Sequence, residues 1–297
     1  MPSRYKKNKK EFRKIKWEQN RKRILITILI VLPILALLFL WGKFGAVSIL
    51  KSNYFEFSSN NIPESFNNVK IVHFSDLHYG IASDKNVSKV IKRINSYEPD
   101  IVVFTGDLVD KKYKLTENDI KYITKNFSKI KSKLGKYTIM GNEDYDNDYY
   151  DNIMYDSGFK ILKNNYDIIY NTDNNPILLY GFDDYLKSIP DRSILKKKDI
   201  KNISYKIALV HEPDYANEIA NGYGIDTIIS GHSLYGQVKI PFIKPLHLQK
   251  GSRDYYKKYY DINGTKLYIS GGCGQKSYNF RLFTLPSINI YNLKVKR

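Results

Sequence analysis

Five short polar segments in this chain each follow an apolar run rich in β-branched residues, and this pattern constrains the fold more than any other feature. The runs have the length and composition of strands that are buried on both faces. The polar segments are residues 74–78, 105–110, 140–144, 210–212 and 230–233. Because functional residues of α/β folds gather where strands end, we expect these segments to meet at one edge of a sheet.

Helical patterns lie between the first strands. Residues 86–97 and 117–134 carry apolar side chains at helical spacing, with Val87, Val90, Ile91 and Ile94 in the first and Ile120, Ile123, Phe127 and Ile130 in the second. The resulting strand–helix–strand order predicts an α/β sheet sandwich rather than an all-β fold or a helical bundle. We place this domain at residues 69–297, and the polar stretch 145–201 predicts two or three further strands with surface loops.

The N-terminus predicts a membrane anchor. Residues 1–23 hold eleven basic and two acidic residues, and their net charge of +9 is half of the formal charge of +18. The 18 residues from Ile24 to Trp41 are uncharged and apolar. At about 1.5 Å per residue this run nearly spans a bilayer core of about 30 Å. A buried helix or a cleaved signal peptide are the alternatives, but an uncleaved transmembrane helix at 24–42 is favoured over both.

The positive-inside rule then predicts that the basic tail, residues 1–23, is cytoplasmic and that the rest of the chain after the helix is extracellular. Residues 43–68 are turn-rich near Pro63 and predict a linker. The single cysteine, Cys273, excludes an intrachain disulfide. The tyrosine- and lysine-rich run 255–260 predicts an exposed strand or loop edge rather than a nucleic-acid platform, so no nucleic acid is expected as a partner.

The polar segments supply the donors of a metal site. Carboxylate oxygen, amide oxygen and imidazole nitrogen hold Zn²⁺, Mn²⁺ or Fe, and the candidate ligands are Asp76, His78, Asp107, Asn142, His211 and His232. In this order and context the sequence resembles the calcineurin-like metallophosphoesterases, specifically their membrane-anchored bacterial branch. The motifs that carry the resemblance are Asp76-x-His78, Gly106-Asp107, Gly141-Asn142, His211 and Gly231-His232 followed by Gly236-Gln237.

The resemblance implies a four-layer α/β/β/α sandwich with two divalent metal ions, Mn, Zn or Fe, at the sheet ends. In it, Asp107 would bridge both metals, Asp76 and His78 would hold the first, and the second would be held by Asn142, His211 and His232. A metal-activated hydroxide would attack phosphorus in line, so no protein nucleophile is needed. Asp107 and Asn142 are therefore also expected among the catalytic residues.

Two positions depart from the family pattern. Glu143 stands where a histidine usually faces the phosphate or leaving group, and Leu234 stands where the family has the last histidine ligand of the first metal. Three outcomes stay open: a weak first metal site, replacement of the missing ligand by Glu143, or loss of catalysis. Since an ionised carboxylate would repel a phosphate, Glu143 is expected to bind metal or to act, protonated, as the catalytic general acid.

These observations predict a single-pass membrane phosphoesterase of unknown oligomeric state. Its expected substrate is an anionic phosphorylated small molecule, sugar or lipid of the cell envelope, cleaved at a phosphate ester or pyrophosphate bond. The alternative is a catalytically weak or inactive metal-binding module of the same fold with a binding or structural role at the cell surface.

Overall fold

Two six-stranded sheets form the body of the protein in the computed structural model, which describes residues 2–81, 84–245 and 247–296. The α-helices in these residues are α1 (Pro2–Leu40), α2 (Asp84–Asn95), α3 (Glu117–Phe127), α4 (Tyr150–Asp156) and α5 (Ala216–Ile219). The strands are β1 (Lys51–Ser59), β2 (Lys70–Phe74), β3 (Ile101–Phe104), β4 (Gly135–Thr138), β5 (Lys160–Ile161), β6 (Asn165–Ile169), β7 (Ile177–Gly181), β8 (Tyr205–Val210), β9 (Thr227–Ser230), β10 (Tyr259–Ile262), β11 (Thr265–Ile269) and β12 (Ser287–Val295).

The first sheet has the strand order β1-β12-β2-β3-β4-β5, in which β2 to β5 run parallel and β12 runs antiparallel to β2. The second sheet has the order β10-β11-β9-β8-β7-β6, with β11, β9, β8 and β7 parallel. Their central strands are continuous buried runs, as helices on one face and a second sheet on the other require. The carboxyl ends of the parallel strands in each sheet therefore lie at one edge.

Three apolar clusters hold the layers together. One lies between the sheets and includes Ile71, Val103 and Leu209; a second packs the first sheet against α2, α3 and α4; a third packs the second sheet against α5 and neighbouring helical turns. The order of layers is thus α/β/β/α, as expected. The Thr116 side chain and Asp119 form a capping box that begins α3.

The linker expected at residues 43–68 is wrong in its central part. Residues 51–59 form β1, which pairs in parallel with β12 from Lys51 opposite Ser287 to Ser59 opposite Val295. Phe57 is buried in the cluster between the sheets. The alternation of exposed and buried side chains along β1 reflects its position at the edge of the first sheet, where one face is covered and the other is not.

The N-terminal helix α1 runs without a break from the basic tail into the apolar stretch and continues through a wider π-helical turn at Trp41–Gly45 and a tighter 3₁₀ turn at Ala46–Ser48. By length and composition, residues 11–48 are long and apolar enough to cross a membrane, and the apolar window is not buried against the rest of the chain. The C-terminal end of the helix contacts the domain: Arg281 N donates to the Gly42 carbonyl at 3.0 Å, and Phe280 packs on Phe39 with ring centroids 5.7 Å apart.

Candidate metal centre

The structure brings all six expected metal ligands together where strands end. Asp76 and His78 follow β2, Asp107 follows β3, and Asn142 follows β4. From the second sheet, His211 follows β8 and His232 follows β9. Asp76, His78, Asp107 and His232 have left-handed backbones, with φ values of 49°, 44°, 58° and 63°. Such a conformation is uncommon outside glycine, and its clustering at four of six ligands indicates that the turns are shaped for the site.

Glycine lets the loops of this edge touch. Gly106 has φ +87°, and an added Cβ would lie 2.2 Å from the backbone nitrogen of Gly141. The loops after β3 and β4 can therefore meet only if no side chain stands between them. The Asp144 carboxylate closes the same junction by accepting hydrogen bonds from the backbone nitrogens of Asp107, Leu108 and Gly141 at 2.7–2.8 Å.

One group of donors converges on Asp107 Oδ2. His211 Nε2 lies 3.3 Å from this oxygen and 3.1 Å from His232 Nδ1. The outer nitrogens of both rings donate to backbone carbonyls, His211 Nδ1 to Thr105 at 2.6 Å and His232 Nε2 to Lys250 at 2.8 Å. Because a carbonyl only accepts, these bonds turn the inner nitrogen of each ring towards the partner donors, and that nitrogen offers a lone pair once its ring is neutral.

Two side-chain oxygens of the expected ligands have no hydrogen-bond partner in the described chain, and one of them belongs to Asn142, which lines the same cleft as His232. Asp107 Oδ2 and Asn142 Oδ1 are both buried without a hydrogen-bond partner. A buried acceptor left in this way is costly unless a ligand occupies the point between the donors. Two oxygens and two imidazole nitrogens form the mixed donor set that suits Zn²⁺, Mn²⁺ or Fe. We refer to Asp107, Asn142, His211 and His232 as the four-donor site.

The second group of donors is smaller. His78 Nε2 lies 3.7 Å from Asp107 Oδ2 and 4.0 Å from Asp76 Oδ1, so these three residues face one another. Asp76 is already engaged, because it accepts hydrogen bonds from Ser75 Oγ and from the backbone nitrogen of His232. We refer to Asp76, His78 and Asp107 as the three-donor site. It offers fewer free donors than the four-donor site.

Leu234 closes the place where a fourth donor of the three-donor site would come from. Its side chain is buried and packs on Gly272: a Cβ added there would lie 2.3 Å from Leu234 Cδ2 and 2.9 Å from Asp76 Cβ. The fully buried Arg281 guanidinium fixes this packing by donating to the carbonyls of Gly274 at 2.6 Å and Gly272 at 3.4 Å. An apolar side chain therefore lies beside Asp76, backed by a fixed positive charge.

Glu143 does not face the convergent donors. Its Oε2 accepts from the backbone nitrogen of Lys111 at 2.9 Å and lies 3.3 Å from His78 Nδ1, the outer nitrogen of that ring. Asp110 Oδ2 lies on the same side, 3.7 Å from His78 Nδ1. Although His78, Asp110 and Glu143 also form a donor group, both carboxylates are hydrogen-bonded to backbone, so they orient the histidine.

Lys276 is a site residue that sequence reasoning missed. Its Nζ lies 2.9 Å from Glu143 Oε1 and 4.0 Å from Asp107 Oδ2, which places an ammonium group between these two carboxylates. Gln237 fixes the lysine backbone, accepting from its nitrogen at 2.9 Å and donating to its carbonyl at 3.2 Å. The glycine-rich loop 271–274, directly after β11, was the available signal, since a loop of this composition at a strand end permits close approach to a site.

These contacts set the charges of the site. Burial opposes ionisation of Glu143, but His78 and Lys276 outweigh it and lower the pKa of this carboxyl to about 2. Burial also disfavours the charged form of Lys276, yet Asp107 and Glu143 raise its pKa above the ordinary value. Glu143 is therefore a carboxylate at neutral pH, and this argues against the protonated general acid that was one expectation from the sequence.

Burial and the neighbouring His211 hold the pKa of His232 well below its usual range. Asp107 is the opposite case: burial alone would raise its pKa, but His211 and Lys276 hold it well below the usual range. A neutral imidazole and an ionised carboxylate are the forms in which these two side chains bind metal. Burial opposes the charged form of His211, but Asp107 outweighs it and raises the pKa of this ring well above its usual range, so a metal ion must displace its proton.

A cleft of about 640 Å³ opens over these groups and is lined by Asn142, His232, Leu234 and Lys276. Lys111, Lys250 and Arg253 also line it, and none of its described lining residues is acidic. A cleft with cationic walls attracts anions and raises their local concentration. The arrangement therefore combines a metal-binding floor with walls suited to an anionic substrate.

Residues 69–236 match the sequence profile of the Calcineurin-like phosphoesterase family. The chain belongs to this family. The metallophosphoesterase YkuE of Bacillus subtilis is 29% identical over 262 residues, which cover 85% of this chain and 90% of YkuE. The metallophosphoesterase Cj0846 of Campylobacter jejuni is 33% identical over 242 residues, which cover 80% of this chain and 62% of that protein.

A shorter similarity links the chain to the UDP-2,3-diacylglucosamine pyrophosphatase LpxG of Chlamydia trachomatis, with 29% identity over 124 residues, covering 40% of this chain and 35% of LpxG. Family membership makes this calcineurin-like protein a metal-dependent phosphoesterase, and its buried Asp and His clusters could hold the metal. Two further features shape this site: Leu234 lies beside the three-donor site, and the Lys276–Glu143 ion pair lies next to Asp107.

Proposed function

We propose that this protein is a membrane-anchored phosphoesterase that hydrolyses a phosphate ester or pyrophosphate bond in an anionic cell-envelope or lipid-linked substrate. One observation carries the proposal: the buried donors Asp107, His211 and His232 converge at a cleft whose described walls carry only positive charge, and Asp107 Oδ2 and Asn142 Oδ1 have no hydrogen-bond partner among the described residues. Donors of this kind suit a metal ion, and walls of this kind suit a phosphoryl group.

In this proposal the four-donor site holds one metal ion tightly, and the three-donor site holds a second ion weakly. A metal bound there supplies Lewis-acid stabilisation of phosphoryl oxygens and lowers the pKa of water. Asp107 contributes to both sites through Oδ2, which lies 3.3 Å from His211 Nε2 and 3.7 Å from His78 Nε2. Its Oδ1 accepts from the backbone nitrogen of Glu143 at 2.9 Å, which fixes the carboxylate plane.

Lys276 adds a positive charge to the site beside that of any bound metal ion. Its ammonium lies between Glu143 and Asp107 and lines the cleft, so it can bind a phosphoryl oxygen of the substrate. Glu143 orients both Lys276 and His78 and is a positioning residue in this account, rather than a proton donor. The Lys276 ammonium also offsets the repulsion that the Glu143 carboxylate would otherwise exert on an anion.

The position of the anchor supports a substrate at the membrane surface. The outer end of α1 contacts Arg281 and Phe280, in the same loop as Lys276. The cleft therefore opens close to where α1 would leave a bilayer. The similarity to a pyrophosphatase that acts on a diacylated sugar nucleotide is consistent with a lipid-linked substrate, although it covers only 40% of this chain. We also propose that the basic tail lies in the cytoplasm and the domain outside.

Turnover measurements test the proposal. The full chain, purified in detergent and loaded with Mn²⁺, Zn²⁺ or Fe²⁺, is assayed with an aryl phosphate monoester, an aryl phosphate diester and a nucleoside diphosphate-linked sugar. We expect hydrolysis of at least one substrate and a loss of about 10³-fold or more in Asp107→Asn, because both donor sites lose an oxygen. Asp156→Asn, which changes an exposed carboxylate at the end of α4, is the matched control and should retain full activity.

The second candidate function is a metal-binding module without useful turnover, and Leu234 is the observation that favours it. This module would bind metal at the four-donor site and yet hydrolyse none of the three substrates. If the protein binds metal but its turnover is the same in Asp107→Asn, the turnover does not come from the metal centre, and this result would also favour the metal-binding module over the phosphoesterase.

A further inference from the structure

A second cavity lies apart from the metal centre, at the start of β1. It has a volume of about 270 Å³, and four lysines line it: Lys51, Lys239, Lys257 and Lys258. None of the described residues that line this cavity is acidic; the others are polar or apolar and include Tyr256 and Phe283. We refer to it as the lysine cavity. Four ammonium groups around one space, with no carboxylate among them, form a site that suits an anion.

The positive charges of Lys51 and Lys258 in this cavity repel each other. Partial burial and the neighbouring Lys51 ammonium lower the pKa of Lys258. The only hydrogen bond described for Lys258 Nζ goes to a neutral acceptor, Asn53 Oδ1, at 2.9 Å. An anion in the cavity would relieve this repulsion and gain charge-assisted hydrogen bonds.

The lysine cavity lies next to the end of the membrane helix. Lys51 begins β1 only three residues after the last helical turn, Ala46–Ser48. From Trp41 to Ser48 the chain advances by seven helical steps, which is a rise of about 10 Å, and the headgroup layer on each side of a bilayer is about 5–7 Å thick. If the apolar run fills the hydrocarbon core, the cavity lies at or just above the lipid headgroups.

An exposed apolar loop adjoins the cavity on the same side. Ile240, Phe242 and Ile243 are 41%, 106% and 55% exposed, so Phe242 has no cover at all. Lysines flank this loop at positions 239 and 244. Large apolar side chains between lysines are typical of segments that enter a membrane interface.

Hydrogen bonds tie this loop to the anchor. The Lys239 backbone nitrogen donates to the Leu282 carbonyl at 2.9 Å, and the neighbouring Arg281 nitrogen donates to Gly42 at the end of the apolar run. The exposed loop, the lysine cavity and the outer end of the helix are therefore parts of one face. That face is the side of the domain from which the membrane helix departs.

We propose that the lysine cavity binds the phosphate of an anionic glycerophospholipid while Ile240, Phe242 and Ile243 insert into the interface beside it. Apolar insertion and attraction of lysines to anionic headgroups act together in such contacts. This lipid is not the substrate, because the lysine cavity contains none of the donors of the metal centre. Its binding holds the domain against the membrane with the cleft near the surface.

Native mass spectrometry of the full chain in detergent tests the proposal. Delipidated protein is mixed with equal amounts of phosphatidylglycerol and phosphatidylcholine, and the lipids retained per chain are counted. The variant Lys257→Gln/Lys258→Gln is compared with a control pair of exposed lysines, Lys196→Gln/Lys198→Gln. The basic N-terminal tail is common to all three proteins, so its own lipid binding cancels in the comparison.

We expect the wild type and the control pair to retain phosphatidylglycerol in preference to phosphatidylcholine. The apparent affinity for phosphatidylglycerol should fall about 25-fold in the cavity variant, since each lysine near an anionic lipid contributes a factor of about five. Equal retention by the cavity variant and the control pair would overturn the proposal. Competition by inorganic phosphate at the same concentration as the lipid would also overturn it, because the cavity would then select a free anion.

A second variant keeps all the charges and tests the loop. Phe242→Ser removes a side chain that is fully exposed, so the fold should not change. In nanodiscs that contain phosphatidylglycerol, we expect proteolysis within residues 239–244 to be slow for the wild type and several-fold faster for the variant. Equal cleavage rates for the two proteins would contradict insertion of the loop.

Discussion

The replacement Lys276→Met removes the ammonium group that lies between Glu143 and Asp107. Its Nζ lies 2.9 Å from Glu143 Oε1 and 4.0 Å from Asp107 Oδ2. At an effective dielectric of about 20, a charge pair at about 4 Å interacts by about 4 kcal/mol. Without the ammonium, an incoming phosphoryl group meets the buried Glu143 carboxylate with no counter-charge between them. We expect kcat/KM to fall roughly 10²-fold, which corresponds to a rise of about 3 kcal/mol in the activation free energy, as when one preorganised donor is lost.

The assay is steady-state turnover of the aryl phosphate by the metal-loaded full chain, with bound metal counted in the same sample. Lys111→Met is the matched control: it removes a cleft lysine whose side chain is exposed and has no described ion pair with the donors. We expect it to change kcat/KM less than threefold. The double variant Glu143→Gln/Lys276→Met should recover about tenfold of the loss, because an amide does not repel the phosphate.

The reasoning would be refuted if Lys276→Met lost no more activity than Lys111→Met. It would also be refuted if Glu143→Gln failed to recover any activity in the Lys276→Met background. A loss of bound metal in Lys276→Met would assign the lysine to the integrity of the metal site instead of to the substrate.

Three further predictions concern the surroundings of the site. Leu234→His restores a donor beside Asp76 and should raise bound metal from one to two ions per chain, and an unchanged count would contradict the weak three-donor site. Burial lowers the pKa of His73 to about 3, so the unfolded chain binds its proton between pH 6.5 and 3 while the folded chain does not. Stability is therefore fully present above pH 6.5 and is lost as the pH falls, by about 1.4 kcal/mol per unit. His73→Gln should weaken the pH dependence of the denaturation midpoint between pH 7 and 5. An unchanged dependence on pH would count against this cause. Arg281→Lys leaves buried carbonyls of the loop 272–274 without donors and should cost about 2–4 kcal/mol in urea unfolding, whereas a loss below 1 kcal/mol would show that the guanidinium does not hold the loop.

The parts of the fold that could be predicted from the sequence are those with local signals. Strands such as β3 and β9 are short, continuous apolar runs, and the donors that follow them stand where chains leave a sheet. In contrast, β1 has charged and polar residues among its apolar ones and pairs with β12 at the other end of the chain. Its place in the sheet depends on a contact between distant segments, which no local pattern encodes.

The same limit applies to the site. Five of the expected ligands, Asp76, His78, Asp107, His211 and His232, lie together because each follows a strand whose end is fixed by the sheet. The direction of the Glu143 side chain could not be predicted, since it depends on Lys276, which a separate loop brings into the cleft. The sequence shows that Leu234 stands in the place of a histidine ligand. Its packing on Gly272 and the buried Arg281 behind it could not be predicted, because both depend on the folded loops.

Metal titration tests the central claim most directly. The metal-free full chain is titrated with Mn²⁺, and binding is followed by calorimetry for the wild type, His232→Ala and His78→Ala. We predict one tight site in the wild type, which is lost in His232→Ala and retained in His78→Ala. Of the two substituted histidines, His232 belongs to the four-donor site and His78 does not. Two equally tight sites in the wild type, or a tight site that disappears in His78→Ala and survives in His232→Ala, would contradict it.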